Sequence, residues 1–95
     1  MIATQRSDGQ FVDVKTDEYT VSFKRPTLEQ FQAMQDLVAK GKYASASIRL
    51  SLACADRKED AQRLFDEWPG ATATVAGALI EMVTPVLKSG QVTKA

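Results

Sequence analysis

The stretch Tyr19-Thr20-Val21-Ser22-Phe23-Lys24-Arg25-Pro26-Thr27 decides the architecture. Tyr19, Val21 and Phe23 alternate with Thr20, Ser22 and Lys24, the period-two pattern of a strand with one buried face. The ring of Pro26 clashes with a helical conformation at Arg25 and keeps that residue extended. Thr27 stands three residues before Gln30, the spacing of a capping box, so a helix is expected to begin at Leu28. A strand that passes straight into a capped helix makes the chain α+β.

Upstream, Phe11-Val12-Asp13-Val14-Lys15 has the composition of a second strand, and Thr16-Asp17-Glu18 offers a turn. Together with residues 19–24 it predicts an N-terminal β-hairpin. A lone hairpin is marginal in water, so this one is expected to lie against helices or to pair with another subunit. Residues 1–10 are polar and read as a flexible lead-in.

Downstream, Leu28, Phe31, Met34 (or Ala33), Leu37 and Val38 keep helical spacing over 28–40, and Lys40-Gly41 supplies a helix stop. A second helix is expected over 43–55, with Tyr43, Ala46, Leu50 and Ala53 or Cys54 on one stripe and Ala44, Ile48, Leu52 and Ala55 on the next. Being apolar around much of its circumference, it belongs at the centre. Asp56 is placed to cap a short third helix with Ala61, Leu64, Phe65 and Trp68 inward, before Pro69-Gly70 ends it. The fourth helix is expected over 73–88 with Thr72 as its cap and a kink or early end at Pro85. The fold class is therefore α+β, mainly α: a hairpin followed by a compact bundle of about four helices in one domain, 11–88, with a polar tail at 89–95.

Composition narrows the function. The 95 residues carry 12 basic and 12 acidic side chains, a formal net charge of zero. Phosphate binding rests on an excess of Lys and Arg, so nucleic acid is not the expected partner. A near-neutral surface resists self-association less than a strongly charged one, so self-association is expected. One cysteine excludes an internal disulfide and fits a reducing cytoplasm. No basic start leads into a long apolar run, and the uncharged stretch from Pro69 to Ile80 is too short to cross a bilayer. A cytoplasmic protein with no membrane partner is expected.

The residues of common catalysis are missing. There is no histidine, which removes the usual general base and the usual transition-metal ligand. Cys54 has no histidine to activate it and reads as a small core residue. The five glycines, at positions 9, 41, 70, 77 and 90, make no phosphate loop. Asp17-Glu18, Glu59-Asp60 and Asp66-Glu67 are adjacent pairs, which do not face one another on a helix. Neither an enzyme nor a bound cofactor or metal is expected.

What remains is binding surface. On the fourth helix Val75, Leu79, Met82 and Val86 form one stripe, and Ala76, Ile80, Val83 and Leu87 form a second about 100° around the axis. Either the domain covers both, or one packs inside and the other meets a partner through a patch of roughly a few hundred Å². Ala71, Ala73, Ala76, Gly77 and Ala78 leave room for another helix to approach, and helix-in-groove recognition uses anchors at this spacing. Lys24 and Arg25, just before a helix start, are candidates to hold an anion or a partner carboxylate at the free N–H groups. The competing reading is a local ion pair with Glu29. Trp68 reads as a packing aromatic rather than a binding anchor. Arg57, Lys58 and Arg63 make a small basic face, which the interleaved Asp56, Glu59, Asp60 and Asp66 neutralise.

The order Y-T-V-S-F-K-R-P-T, then A-K-G-K at the end of the first helix, L-F-D-E-W-P-G, and a helix rich in small residues resembles the small tail assembly chaperones of long-tailed bacteriophages. The likeness covers residues 11–88. It implies a non-enzymatic protein of the infected cell's cytoplasm that coats the apolar, helical tape-measure protein until tail-tube subunits polymerise around it. In that family a longer, frameshifted product often recruits the tail-tube protein. For this chain the expected client surface is a groove beside the fourth helix at Ile80, Val83 and Leu87, aided by Ile48 and Leu52. The hairpin's free edge is available to join neighbouring subunits. The alternatives are a structural tail or baseplate protein retained in the virion, and a small helix-turn-helix regulator built on the second and third helices.

Overall fold

A computed structural model describes residues 1–85. Three antiparallel strands, β1 (Ile2–Gln5), β2 (Phe11–Lys15) and β3 (Thr20–Lys24), form a meander in the order β1-β2-β3. Four helices follow: α1 (Leu28–Ala39), α2 (Tyr43–Cys54), α3 (Lys58–Glu67) and α4 (Ala71–Val83). The architecture is α+β and mainly α.

The hairpin of β2 and β3 pairs Val12 with Phe23 and Val14 with Val21. These four side chains are buried on one face of the sheet. The opposite face is polar. There Arg6 grips Asp13 with two hydrogen bonds, Nε to Oδ2 at 2.7 Å and Nη2 to Oδ1 at 2.8 Å, while the Ser22 hydroxyl donates to Oδ1 at 2.7 Å.

The start of the chain departs from the expected lead-in, because Ile2–Gln5 pairs with β2 as a third strand. All four of its side chains are exposed, so no burial alternation announces it. Backbone pairing and the turn before β2 hold it. Gly9 takes φ +70°, a left-handed conformation that glycine adopts without steric cost, and the Asp8 carboxylate accepts from the Gln10 N–H at 2.9 Å. The Arg6 N–H donates to the Phe11 carbonyl at 2.9 Å to close the loop.

Helix α1 starts where the proline and the capping box place it. Thr27 Oγ1 accepts from the Gln30 N–H, and the Gln30 side chain accepts from the Thr27 N–H. Its end is a Schellman motif: the Gly41 N–H donates to Val38 and the Lys42 N–H to Leu37, with Gly41 at φ +74°. Helix α2 packs between α1 and α4. Ser51, fully buried on α2, donates its hydroxyl to the Ser47 carbonyl at 2.8 Å and so brings no unpaired polar group into the core.

Two caps differ from expectation. Asp56 does not cap α3. Its N–H donates to the Ser22 carbonyl at 2.9 Å, and with the Phe23–Ala55 bridge it closes the outer edge of β3, while Arg57 occupies the cap position of α3. Helix α4 begins at Ala71, two residues before the expected start, so Thr72 lies inside its first turn and its hydroxyl donates to the Pro69 carbonyl at 3.0 Å. The helix ends at Val83, short of Pro85, as the missing N–H of proline requires. The positions expected to extend it, Val86, Leu87 and Lys88, lie outside the described residues, as does the tail at 89–95.

The core joins the four sheet residues to Met34 of α1, Leu50 and Cys54 of α2, Ala61, Leu64 and Phe65 of α3, and Val75, Leu79 and Met82 of α4. Phe23 and Phe65 stack with ring centroids 6.1 Å apart. Trp68, expected inward with Leu64 and Phe65, is 53% exposed because the chain turns away at Pro69. Leu28 and Tyr43, each the first residue of its helix, are exposed as well, since no element packs over either start. Among the described residues no helix is long and apolar enough to cross a membrane.

Candidate partner-binding grooves

Helix α2 buries Ala46, Leu50 and Cys54 inward. The stripe made of Ser45, Ile48, Arg49 and Leu52 is left on the outside. With Leu37 of α1 and Lys42 at the α1–α2 turn, it lines an open groove of about 470 Å³. Leu37 and Leu52 are half-buried against the core, while Ile48 is 44% exposed. The groove floor is thus apolar and anchored by the fold, and its accessible wall is Ile48.

The charged residues that line this groove are both cations, and one of them, Arg49, also lines a neighbouring groove with Glu29. Lys42 and Arg49 line it, Lys40 sits at the end of α1, and no carboxylate lines it. None of these three cations makes an ion pair among the described residues. Elsewhere Arg6, Lys24, Arg57 and Arg63 are paired with carboxylates, while Lys15, Arg25 and Lys58 make no ion pair among the described residues.

The expected stripes of α4 divide as one inside and one half outside. Val75, Leu79 and Met82 are buried; on the second stripe Ala76 is buried, and Ile80 and Val83 are half-buried against the core. Val83 lines a second, smaller groove of about 260 Å³ with Arg25, Pro26, Thr27, Leu28 and Phe31. The two candidate pairs are therefore not brought into one groove: Ile48 and Leu52 face the α1–α2 side, and Val83 faces the start of α1. Ile80 lines neither groove, and Leu87 lies outside the described residues. Among the described residues nothing lies within 4 Å of a Cβ added at Gly77.

The cations Lys24 and Arg25 have different neighbours. Lys24 Nζ lies 3.6 Å from Asp56 Oδ1, an ion pair with Asp56 rather than Glu29. Arg25 makes no ion pair among the described residues; its Nη1 donates to the Met82 carbonyl at 3.0 Å and to the Gly9 carbonyl at 3.3 Å. A cation at the end of α4 complements the negative pole of the helix and satisfies one of its last carbonyls. Periodicity carries no sign of such a contact, because the partners lie 57 residues apart.

Of the basic residues at α3, Arg57 and Arg63 are neutralised locally, while Lys58 makes no ion pair among the described residues. Arg63 stacks over the Tyr19 ring at 4.1 Å and bridges Glu18 at 3.2 Å and Glu67 at 3.1 Å, while Arg57 pairs with Asp60 at 3.8 Å. Burial pushes the Cys54 thiol up to about 11, so at neutral pH it is a protonated core group and a poor nucleophile. Among the described residues no group of His, Cys, Asp and Glu is placed to hold a metal ion. The chemistry these surfaces offer is recognition of apolar groups flanked by charge.

Comparison with protein-family models finds no match, and neither curated proteins nor solved structures show a significant similarity to this chain.

Proposed function

We propose that the chain is a tail assembly chaperone of a long-tailed bacteriophage, acting in the host cytoplasm by binding apolar helical segments of the tape-measure protein. The observation that carries this reading is the groove formed by Leu37, Ile48 and Leu52, an apolar surface anchored by the fold. Helix-in-groove recognition requires anchors at one-turn spacing, which Ile48 and Leu52 provide. The resemblance over residues 11–88 supplies the identity of the client. Weak single contacts suffice when many copies coat one long helix, since tethering to a shared client raises effective concentration.

Self-association completes the proposal. The free edge of the sheet is β1, whose residues Ile2–Gln5 contain no charge and no proline to block pairing. Because the Arg6 N–H bonds to Phe11, alternation of the antiparallel ladder turns the backbone groups of Ala3 and Gln5 outward. Those groups are available to a neighbouring subunit.

The test is affinity capture of the tagged chain from cells producing intact phage, with quantitative mass spectrometry. A long helical protein recovered in several-fold molar deficit to the bait is the expected result. Recovery of tube or baseplate subunits alone, together with the bait in purified particles, makes it a structural tail protein instead.

A further inference from the structure

Two observations at the α1–α2 groove concern charge rather than apolarity. Its lining is apolar with Lys42 and Arg49 at the rim and no carboxylate, and those cations make no ion pair among the described residues. Lys42 and Arg49 are seven residues apart. From Lys42, at the cap position before α2, to Arg49 within it the rise is about 10.5 Å, close to two helical turns.

From this geometry we infer that the groove takes an amphipathic helix whose apolar face is flanked on one side by carboxylates spaced i, i+7. Such a helix, lying along α2, seats apolar side chains against Leu37, Ile48 and Leu52 and brings one carboxylate to each cation. Opposite charges at a rim add selectivity and orientation to the apolar contact. The inference rests on the helix-binding reading above and adds the sign and spacing of the client's charges.

The chain itself supplies no such occupant. Residues 86–95 carry Lys88 and Lys94 and no acidic side chain, so their charge is of the wrong sign. Helix α1 has Glu29 and Asp36 at the i, i+7 spacing, and α3 has Glu59 with Asp66 and Asp60 with Glu67, but the apolar residues Phe31, Met34 and Leu37 of α1 and Ala61, Leu64 and Phe65 of α3 lie in or against the core. A second copy therefore cannot offer either face without unfolding that helix. The occupant is a separate acidic-flanked helix.

The experiment uses the full chain and two synthetic amphipathic peptides that share one apolar face. The first carries Glu at two flanking positions seven residues apart; the second carries Lys there. Fluorescence anisotropy measures the affinity of each. The Glu peptide is expected to bind about tenfold more tightly than the Lys peptide, the difference of two exposed attractive pairs against two repulsive ones. The preference should shrink with added salt. The double variant K42E/R49E alters exposed side chains only, so circular dichroism should be unchanged, and it should reverse the order of the two peptides.

Equal binding of both peptides, or an order that K42E/R49E leaves intact, overturns the inference. So does sedimentation showing that K42E/R49E dissolves a self-association of the wild-type chain, since a second copy would then hold the groove. Capture from phage-producing cells separates this from the broader reading. If K42E/R49E recovers the tape-measure protein as well as wild type, the chaperone reading stands and the charge inference falls. If the peptides behave as expected but no tape-measure protein is captured, the groove's specificity stands and the chaperone reading falls.

Discussion

The guanidinium of Arg25 donates to the carbonyl of Met82 at 3.0 Å, tying the junction between sheet and first helix to the last turn of the fourth. The same Nη1 lies 3.3 Å from the Gly9 carbonyl, in the loop that leads into β2. One side chain thus gathers three parts of the fold.

Replacing Arg25 by Ala should therefore act on stability rather than on binding. A charge-assisted hydrogen bond at a partly exposed site contributes about 1 kcal/mol. Urea denaturation should show a loss of that size, with Arg25→Lys intermediate. Unchanged stability together with weakened client capture would return Arg25 to the binding surface.

Gly41 closes α1 at φ +74°, and its mutation isolates a backbone effect. No atom lies within 4 Å of an added Cβ, so Gly41→Ala introduces strain without a clash. The expected cost is about 1 kcal/mol. The same substitution at Gly77, which lies in an ordinary helical conformation, should stabilise by up to about 1 kcal/mol. Thermal melts of the pair, shifting in opposite directions, check the account.

Asp13 gives a signature in acid. Its hydrogen bonds from Arg6, set partly against burial and aided by the Ser22 hydroxyl, hold the carboxyl below its ordinary value of 3.8. A depressed folded value means stability that is present above the unfolded value and lost as pH falls through the folded one. Asp13→Asn should thus be less stable than wild type at neutral pH, and the gap should close below pH 3.8. A gap that stays constant across that range would remove the ion pair as its cause.

Cys54 gives the opposite signature in alkali. With its thiol raised by burial from 9.0 to about 11, the folded chain resists ionisation that the unfolded chain permits. Stability should be unaffected by this group below pH 9 and should fall between 9 and about 11, and Cys54→Ala should lack that phase. At pH 8 the native thiol should react with a thiol reagent orders of magnitude more slowly than in denaturant. Rapid native labelling would show the helix pair opening.

Ile48 and Leu50, neighbours on α2, separate surface from core. Ile48→Glu should leave helicity intact and weaken peptide binding, whereas Leu50→Ala should cost about 2–5 kcal/mol by leaving a cavity at a site that is 1% exposed. Circular dichroism and urea denaturation distinguish them.

The sequence by itself determined the elements whose signals are local. Alternation marked β3 and composition β2, the capping box and Pro26 marked the start of α1, Lys40-Gly41 marked its end, and Pro85 marked the limit of α4. Each depends on sterics or hydrogen bonds within a few residues. Strand β1 stayed hidden because Ile2–Gln5 buries neither face. The inward expectation failed at Leu28, Tyr43 and Trp68, where helical periodicity runs past the end of the surface that packs against it. Tertiary structure alone decided the candidate site. It joined Leu37 to Ile48 and Leu52 across a tight turn, set Val83 in a different groove, and sent Lys24 to Asp56 and Arg25 to Met82. Burial and pairing between segments far apart in the chain settle such choices, and local patterns do not encode which segments meet.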